Sequence, residues 1–153
     1  MAEIIPVLHN VSSVQRLVDL ARASYQLGFK ALAVSKVYGG AAQSGVPEAF
    51  KLALKYGSSL LVLPDLDDVV DALSPDRVLI ITPREPETII DPVSPPRLDG
   101  KVLIVFNGGE TGFSPSEEKL GARTYIAGVD SRLGAVAEAG IILYTLSRRA
   151  THH

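Results

Sequence analysis

Lys101-Val-Leu-Ile-Val-Phe106, running straight into Asn107-Gly-Gly-Glu-Thr-Gly112, is the stretch that decides the fold. The first part is a continuous apolar run of the kind buried on both faces in a parallel sheet. The second part holds three glycines, which permit turns and close backbone approaches that a side chain would block. Phe113-Ser-Pro-Ser-Glu117 then predicts a helix start, with Ser114 as N-cap, Pro115 at the first helical position and Glu117 three residues after the cap. Thr124-Tyr-Ile126 returns as a short strand, and Ala127-Gly-Val-Asp-Ser131 leads into a small-residue helix from about Arg132 to Arg149. In open α/β sheets, ligands bind in the crevice beyond the carboxyl ends of the strands. The glycine loops fall there, which makes them the candidate site.

Upstream the same alternation repeats. Glu3-Ile-Ile-Pro-Val-Leu8 reads as a strand, and His9-Asn10 as the turn after it. Ser12 or Ser13 caps a helix to about Leu27, with Val14, Leu17, Val18, Ala21 and Tyr25 at helical spacing and Gly28 as its stop. Lys30–Val34, Ser59–Leu63 and Arg77–Thr82 read as further strands, with helices over Pro47–Tyr56 and Leu66–Leu73 between them. Tyr38-Gly-Gly-Ala-Ala-Gln-Ser-Gly45 reads as a flexible loop. Strands alternating with helices imply βαβ units and a parallel sheet with right-handed crossovers. Pro83, Pro86, Pro92, Pro95 and Pro96 break the rhythm and favour extended or turn conformations over a long helix.

Composition narrows the class. The 153 residues suit one domain, expected over 1–150, with 151–153 as a disordered tail. With 46% apolar and 21% charged residues the chain is globular in character. The net charge of −2 gives no global basic field, so any nucleic-acid contact would need a local basic face. There is no cysteine, which removes disulfides and thiolate chemistry. His9, His152 and His153 do not make a metal site, and no metal is expected. No apolar run approaches the roughly 20 residues of a membrane span. A soluble, cytoplasmic protein is the expectation.

At Val102-Leu-Ile-Val-Phe-Asn-Gly-Gly-Glu-Thr-Gly-Phe-Ser114 and Tyr125-Ile-Ala-Gly-Val-Asp-Ser-Arg-Leu-Gly-Ala-Val-Ala-Glu-Ala-Gly-Ile-Ile-Leu-Tyr144 the chain resembles the SpoU (TrmH-like) branch of the SPOUT RNA methyltransferases. The two stretches look like that family's second and third signatures, in the right order and spacing, in a divergent, minimal member of archaeal type. The resemblance implies an α/β domain with a parallel sheet flanked by helices and a deep C-terminal trefoil knot. It also implies homodimers, an RNA substrate (tRNA or rRNA) and S-adenosylmethionine as cofactor, with neither DNA nor a membrane as partner. Carried over by position, Thr82, Phe106, Asn107, Gly108, Gly109, Glu110, Ile126, Gly128, Leu133 and Gly134 would line the cofactor site. The expected reaction is methyl transfer to a ribose 2′-oxygen, with Asn10, Arg16 or Arg22, Glu110 and Ser131 as the catalytic set. Asn10 and Arg16 have the family's spacing, whereas Arg22 stands at the better distance from Gly28. The chain also departs from the pattern: one residue is missing between Glu110 and Gly112, Ala127 replaces a proline, Gly134 falls on the usual asparagine and Arg132 on the usual serine.

Blander readings stand beside these. Glu110 could be a solvated loop carboxylate, and one of Arg16 and Arg22 a surface charge. The small residues Gly134, Ala135, Ala137, Ala139 and Gly140 serve plain helix packing as well as cofactor approach. Asp65, Asp67, Asp68 and Asp71 read as the solvent face of a short helix and lack the loop and glycine of a calcium site. A knotted module that binds cofactor or RNA without catalysis is the alternative function. A RecB-like nuclease is a third, because Pro64-Asp65 and Glu117-Glu118-Lys119 imitate its motif, although Lys119 falls on a helix rather than a strand.

Overall fold

The computed structural model describes residues 2–151, with side chains through Arg148. The described residues form a seven-stranded parallel sheet in the order β3-β2-β1-β6-β4-β7-β5. Its strands are β1 (Ala2–Val11), β2 (Ala31–Val37), β3 (Ser59–Leu63), β4 (Arg77–Ile81), β5 (Thr88–Ile90), β6 (Gly100–Asn107) and β7 (Ala122–Ile126). The helices are α1 (Val14–Gln26), α2 (Val46–Tyr56), α3 (Leu66–Leu73), α4 (Pro115–Glu118) and α5 (Ala135–Thr151). The tail expected over 151–153 lies outside the described residues except for Thr151, the last residue of α5.

Alternation along the strands builds two apolar layers. Leu8, Leu32, Val34, Leu79, Val102, Ile104 and Phe106 join Leu17, Leu20 and Ala21 of α1, Ala49 and Ala53 of α2, and Ala139, Ile142 and Leu143 of α5 in one core. Ile5, Val7, Ala33, Ile80, Leu103 and Val105 face the other way, onto Leu66 and Val69 of α3 and onto Phe113. Both faces of β6 are therefore covered, as its unbroken apolar run requires. From β1 the chain winds outward to β2 and β3, then crosses to place β4 beyond β6. The order thus reverses at the β1–β6 junction, the kind of switch point where α/β sheets open a crevice at their carboxyl edge.

Three expectations need correction. Tyr38–Gly45 is not a loop. Helix begins at Gly39, passes through a π-helical turn over Ala41–Gly45 and continues as α2. The physical reason is packing: a Cβ on Gly40 would come 3.2 Å from Val14 Cγ2, and one on Gly45 would come 3.1 Å from Leu17 Cδ2. These glycines let the helix lie against α1. Gly45→Val is expected to lower stability by about 1–3 kcal/mol through overpacking, measured as a urea-midpoint shift with unchanged slope.

The proline-rich interval is irregular or extended, as read, and its extended part is β5, which pairs with β7 through Thr88, Ile89 and Ile90 at the sheet edge. The second correction concerns His9-Asn10, which does not end the first strand: β1 runs on to Val11, with His9 and Val11 both in register with β2, because that pairing continues past Asn10. Third, α5 starts at Ala135 rather than near Arg132, because Gly134 just before it has φ 97°, a left-handed conformation outside any right-handed helix.

Candidate functional site

The pairing register assembles the site. β1 and β6 run side by side from Ala2↔Gly100 to His9↔Asn107, so the segments leaving both strands emerge together. The Gly108 amide extends the ladder by donating to the His9 carbonyl at 2.7 Å. Within β1, Asn10 puts a tight local turn into the backbone at φ 65°, a left-handed conformation that asparagine tolerates better than most residues, before the strand runs on to Val11. Against this turn the loop has no room for side chains: a Cβ on Gly108 would lie 2.8 Å from Val11 Cβ, and one on Gly109 would strike the Asn10 amide. Asn107 folds the loop from within, its side-chain oxygen accepting from the Gly109 amide at 2.9 Å and its nitrogen donating to the Thr111 carbonyl at 2.6 Å.

Two arginines close on this loop. Arg16, in the first turn of α1, donates to the Gly108 carbonyl at 2.6 Å and reaches the Glu110 carboxylate at 3.4 Å. Ser13 sets that turn as N-cap, accepting from the Arg16 amide at 3.1 Å. Arg132, from the loop before α5, donates to the carbonyls of Gly109 at 2.8 Å, Glu110 at 3.1 Å and Asn107 at 3.4 Å. Arg22 lies elsewhere: its partner is Asp19 at 3.2 Å on the exposed face of α1. Asn10, Arg16, Gly108, Gly109 and Glu110 therefore meet, together with Arg132, which the positional reading had entered only as a departure from the pattern.

The remaining candidates lie on the neighbouring strand ends. Thr82 follows β4 and donates its amide to the Thr124 carbonyl of β7. Phe106 is wholly buried and Ile126 nearly so, whereas Leu133 is 44% exposed. Gly128 and Gly134 have φ of 76° and 97°, and a Cβ on either would meet nothing within 4 Å. The space beside both is open, although the Gly134 carbonyl accepts from the Glu138 amide at 2.9 Å. The Ser131 hydroxyl reaches its neighbour Asp130 at 3.4 Å, and its carbonyl faces the Tyr125 hydroxyl at 3.1 Å.

A second polar chain, which local sequence reading missed, anchors the far end of the loop. His9 is buried, with Nδ1 2.8 Å from Ser35 Oγ and Nε2 2.6 Å from Glu117 Oε2, and its ring stacks on Phe113. The register explains the first contact, since His9 and Ser35 are direct neighbours across β1 and β2. Glu117 also completes the predicted capping box, accepting from the Ser114 amide at 2.8 Å. Partial burial pushes the Glu117 carboxyl up, but the Ser114 and His9 bonds outweigh it and hold the group below the ordinary carboxylate range.

A cavity of about 320 Å³ lies beside it, lined by Asp65, Leu66, Asp67, Ser116, Glu117 and Leu120. Asp65, Asp67 and Asp68 each bring a carboxylate oxygen within 4.8 Å of the others, and Asp68 caps α3 through the Asp65 amide. Glu118 pairs with Arg84 at 3.9 Å, and Lys119 is the C-terminal cap of α4.

Among solved structures the fold is similar to the SpoU methyltransferase AviRb from Streptomyces viridochromogenes in complex with AdoMet, with TM-score 0.74 and 17% identity over 97% of this chain. This chain spans 61% of that one. It is also similar to a structure described for 2-OH methylation of C/U34 on tRNA, with TM-score 0.76 and 18% identity, covering 98% of this chain and 97% of the other. In sequence, a protein of Aeropyrum pernix named as a type II restriction enzyme is 58% identical over 146 residues, 95% of this chain and 94% of that one. Residues 39–145 match the family DUF2122, described as RecB-family nuclease. The chain belongs to the DUF2122 family, and its fold is similar to that of solved SpoU methyltransferases.

Proposed function

We propose that this chain binds S-adenosylmethionine at the carboxyl edge of β6 and β7 and transfers its methyl group to an RNA ribose 2′-oxygen. The observation that carries the reading is the convergence of Asn10, Arg16, Arg132 and the glycine loop at the β1–β6 switch point, in a fold shared with AdoMet-bound SpoU structures. The residues fit such a ligand. Gly128 and Gly134 leave open space on the side where a side chain would stand, so a ligand can approach closely there, and Leu133 offers a half-exposed apolar contact. Thr82, Phe106 to Glu110, Ile126, Gly128, Leu133 and Gly134 are the proposed binding set.

When bound, the cofactor would supply a sulfonium methyl group, which a hydroxyl oxygen attacking in line would take up as the S–CH3 bond breaks, releasing the thioether and a proton. The chain's own contribution is alignment and charge. Arg16 is the proposed electrostatic partner of the developing alkoxide, because it reaches the loop while its side chain stays about one-third exposed. Glu110 orients that guanidinium, and Asn10 sets the turn beside it. Ser131 is proposed as a substrate contact. On this reading residues 1–150 act as one unit, the C-terminal third passes through a trefoil knot, and two copies pair in the cytoplasm around a tRNA or rRNA substrate. Among the described residues no helix is long and apolar enough to cross a membrane.

Calorimetric titration with S-adenosylmethionine and S-adenosylhomocysteine tests the reading. Wild type is expected to bind with a Kd on the order of micromolar, and Gly109→Trp to lose binding altogether, since even a Cβ there meets Asn10. Labelled methyl incorporation into bulk RNA would follow. Absence of heat at millimolar cofactor would overturn the proposal.

The carboxylates around the Asp65 cavity, with the family's description, favour a nuclease as second reading. The residues that would serve it are engaged otherwise: Glu117 with His9 and Ser114, Glu118 with Arg84, and Lys119 at the end of α4. Magnesium- or manganese-dependent cleavage of plasmid DNA, abolished by Asp65→Asn, would replace methyl transfer with this reading.

A further inference from the structure

We infer that Tyr125 and Glu138 are positioning residues for the loop of residues 131–134, acting as a clamp that sets its distance from the glycine loop after β6. The inference rests on the cofactor reading above, because this loop carries Leu133 and Gly134 of the proposed binding set. Neither side chain was singled out by sequence.

Tyr125 is wholly buried near the end of β7, and Glu138 is 1% exposed in the first turn of α5. The Tyr125 hydroxyl lies 2.7 Å from Glu138 Oε2 and 3.1 Å from the Ser131 carbonyl, and it accepts the Leu133 amide at 2.8 Å. One phenol thereby touches both flanks of Arg132, whose guanidinium holds the carbonyls of Asn107, Gly109 and Glu110. This loop has no ladder to fix it, so the phenol takes that part.

The proton count shows what Glu138 adds. A phenol donates one hydrogen bond and can accept two. With a neutral Glu138 carboxyl, its O–H donates to Tyr125, the Tyr125 proton goes to the Ser131 carbonyl, and the Leu133 amide fills the remaining acceptor site. All three bonds of the phenol are then satisfied together, and the second Glu138 oxygen stays free to accept from the Leu133 and Gly134 amides. With an ionised Glu138 the phenol proton turns to the carboxylate and the Ser131 carbonyl loses its donor. Burial pushes the Glu138 carboxyl above its ordinary range, against the opposing pull of the Tyr125 bond, the Arg132 charge and the Leu133 and Gly134 backbone amides. Burial also lifts Tyr125 to about 12, which keeps the phenol protonated. Among the described residues, Tyr125 from β7 and Arg132 from the preceding loop are the titratable and charged groups facing Glu138. α1 and β6, packed on the same helix, bring Leu17, Leu20, Ile104 and Phe106.

The test uses Tyr125→Phe, Glu138→Ala and Glu138→Gln, read by hydrogen exchange without ligand and by S-adenosylmethionine titration across pH. Tyr125→Phe and Glu138→Ala are expected to raise exchange over residues 129–134 alone and to weaken binding about tenfold, the scale of one lost buried hydrogen bond. Glu138→Gln, a neutral donor of similar shape, is expected to restore both. Wild-type affinity should fall relative to Glu138→Gln as the pH rises through the raised carboxyl value. Unchanged loop exchange in both truncating variants, exchange rising across the whole sheet, or Glu138→Gln behaving like Glu138→Ala would each overturn the clamp. If wild type binds no cofactor, the cofactor reading fails by itself, and the exchange pattern alone decides the clamp.

Discussion

Arg16→Ala is expected to slow methyl transfer by roughly 10²–10³-fold, the usual loss when one preorganised donor to a developing oxyanion is removed. Arg22→Ala should leave the rate within about twofold, as expected for an exposed ion pair. The contrast follows from where α1 places each residue. Arg16 sits in the first turn, against Gly108 and Glu110, whereas Arg22 pairs with Asp19 on the outer face. Single-turnover rates at saturating cofactor and RNA check it. Equal losses in the two variants would remove Arg16 from its assigned role. A loss of cofactor affinity with no change in the saturated rate would make Arg16 a tether of the loop instead.

The second large effect concerns stability. His9→Ala removes a buried ring, strands the Ser35 hydroxyl and leaves Glu117 without its imidazole partner. A cost of about 3 kcal/mol is expected, the range for breaking a buried, hydrogen-bonded polar pair from one side. Urea denaturation at neutral pH measures it. The accompanying pH dependence has a definite sign. Folding lowers the Glu117 carboxyl below its unfolded value, so its contribution is fully present above the unfolded carboxylate range and is lost as pH falls through the lowered folded value. The gap between wild type and Glu117→Gln should therefore narrow as the pH falls below the ordinary carboxylate range. A gap that widens on acidification would contradict the assignment.

Particular elements show how much could be read in advance. The run Lys101–Phe106 declared a strand buried on both faces, and its side chains indeed alternate between the two apolar layers. Ser114-Pro-Ser-Glu117 declared a capped helix start, and both halves of the capping box are present. In these cases the partners lie within a few residues of each other or repeat with a fixed period, so the pattern is local. Tyr38–Gly45 misled for the opposite reason: its glycines answer to Val14 and Leu17 on another helix, and nothing nearby in sequence distinguishes a packing glycine from a flexible one.

The site divides along the same line. The sequence alone established the parallel α/β alternation, the glycine loop at a strand end and part of the polar set around it, Asn10, Arg16 and Glu110 among them. Only the tertiary structure separated Arg16 from Arg22, turned Arg132 from an anomaly into a tie across the glycine loop, and joined His9 to Glu117 and Tyr125 to Glu138. Backbone hydrogen bonds and burial periodicity act over a few residues and leave a trace in the chain. Arg16 meets Gly108 across 92 positions and His9 meets Glu117 across 108. Contacts at that range exist only once β1 has taken its place beside β6.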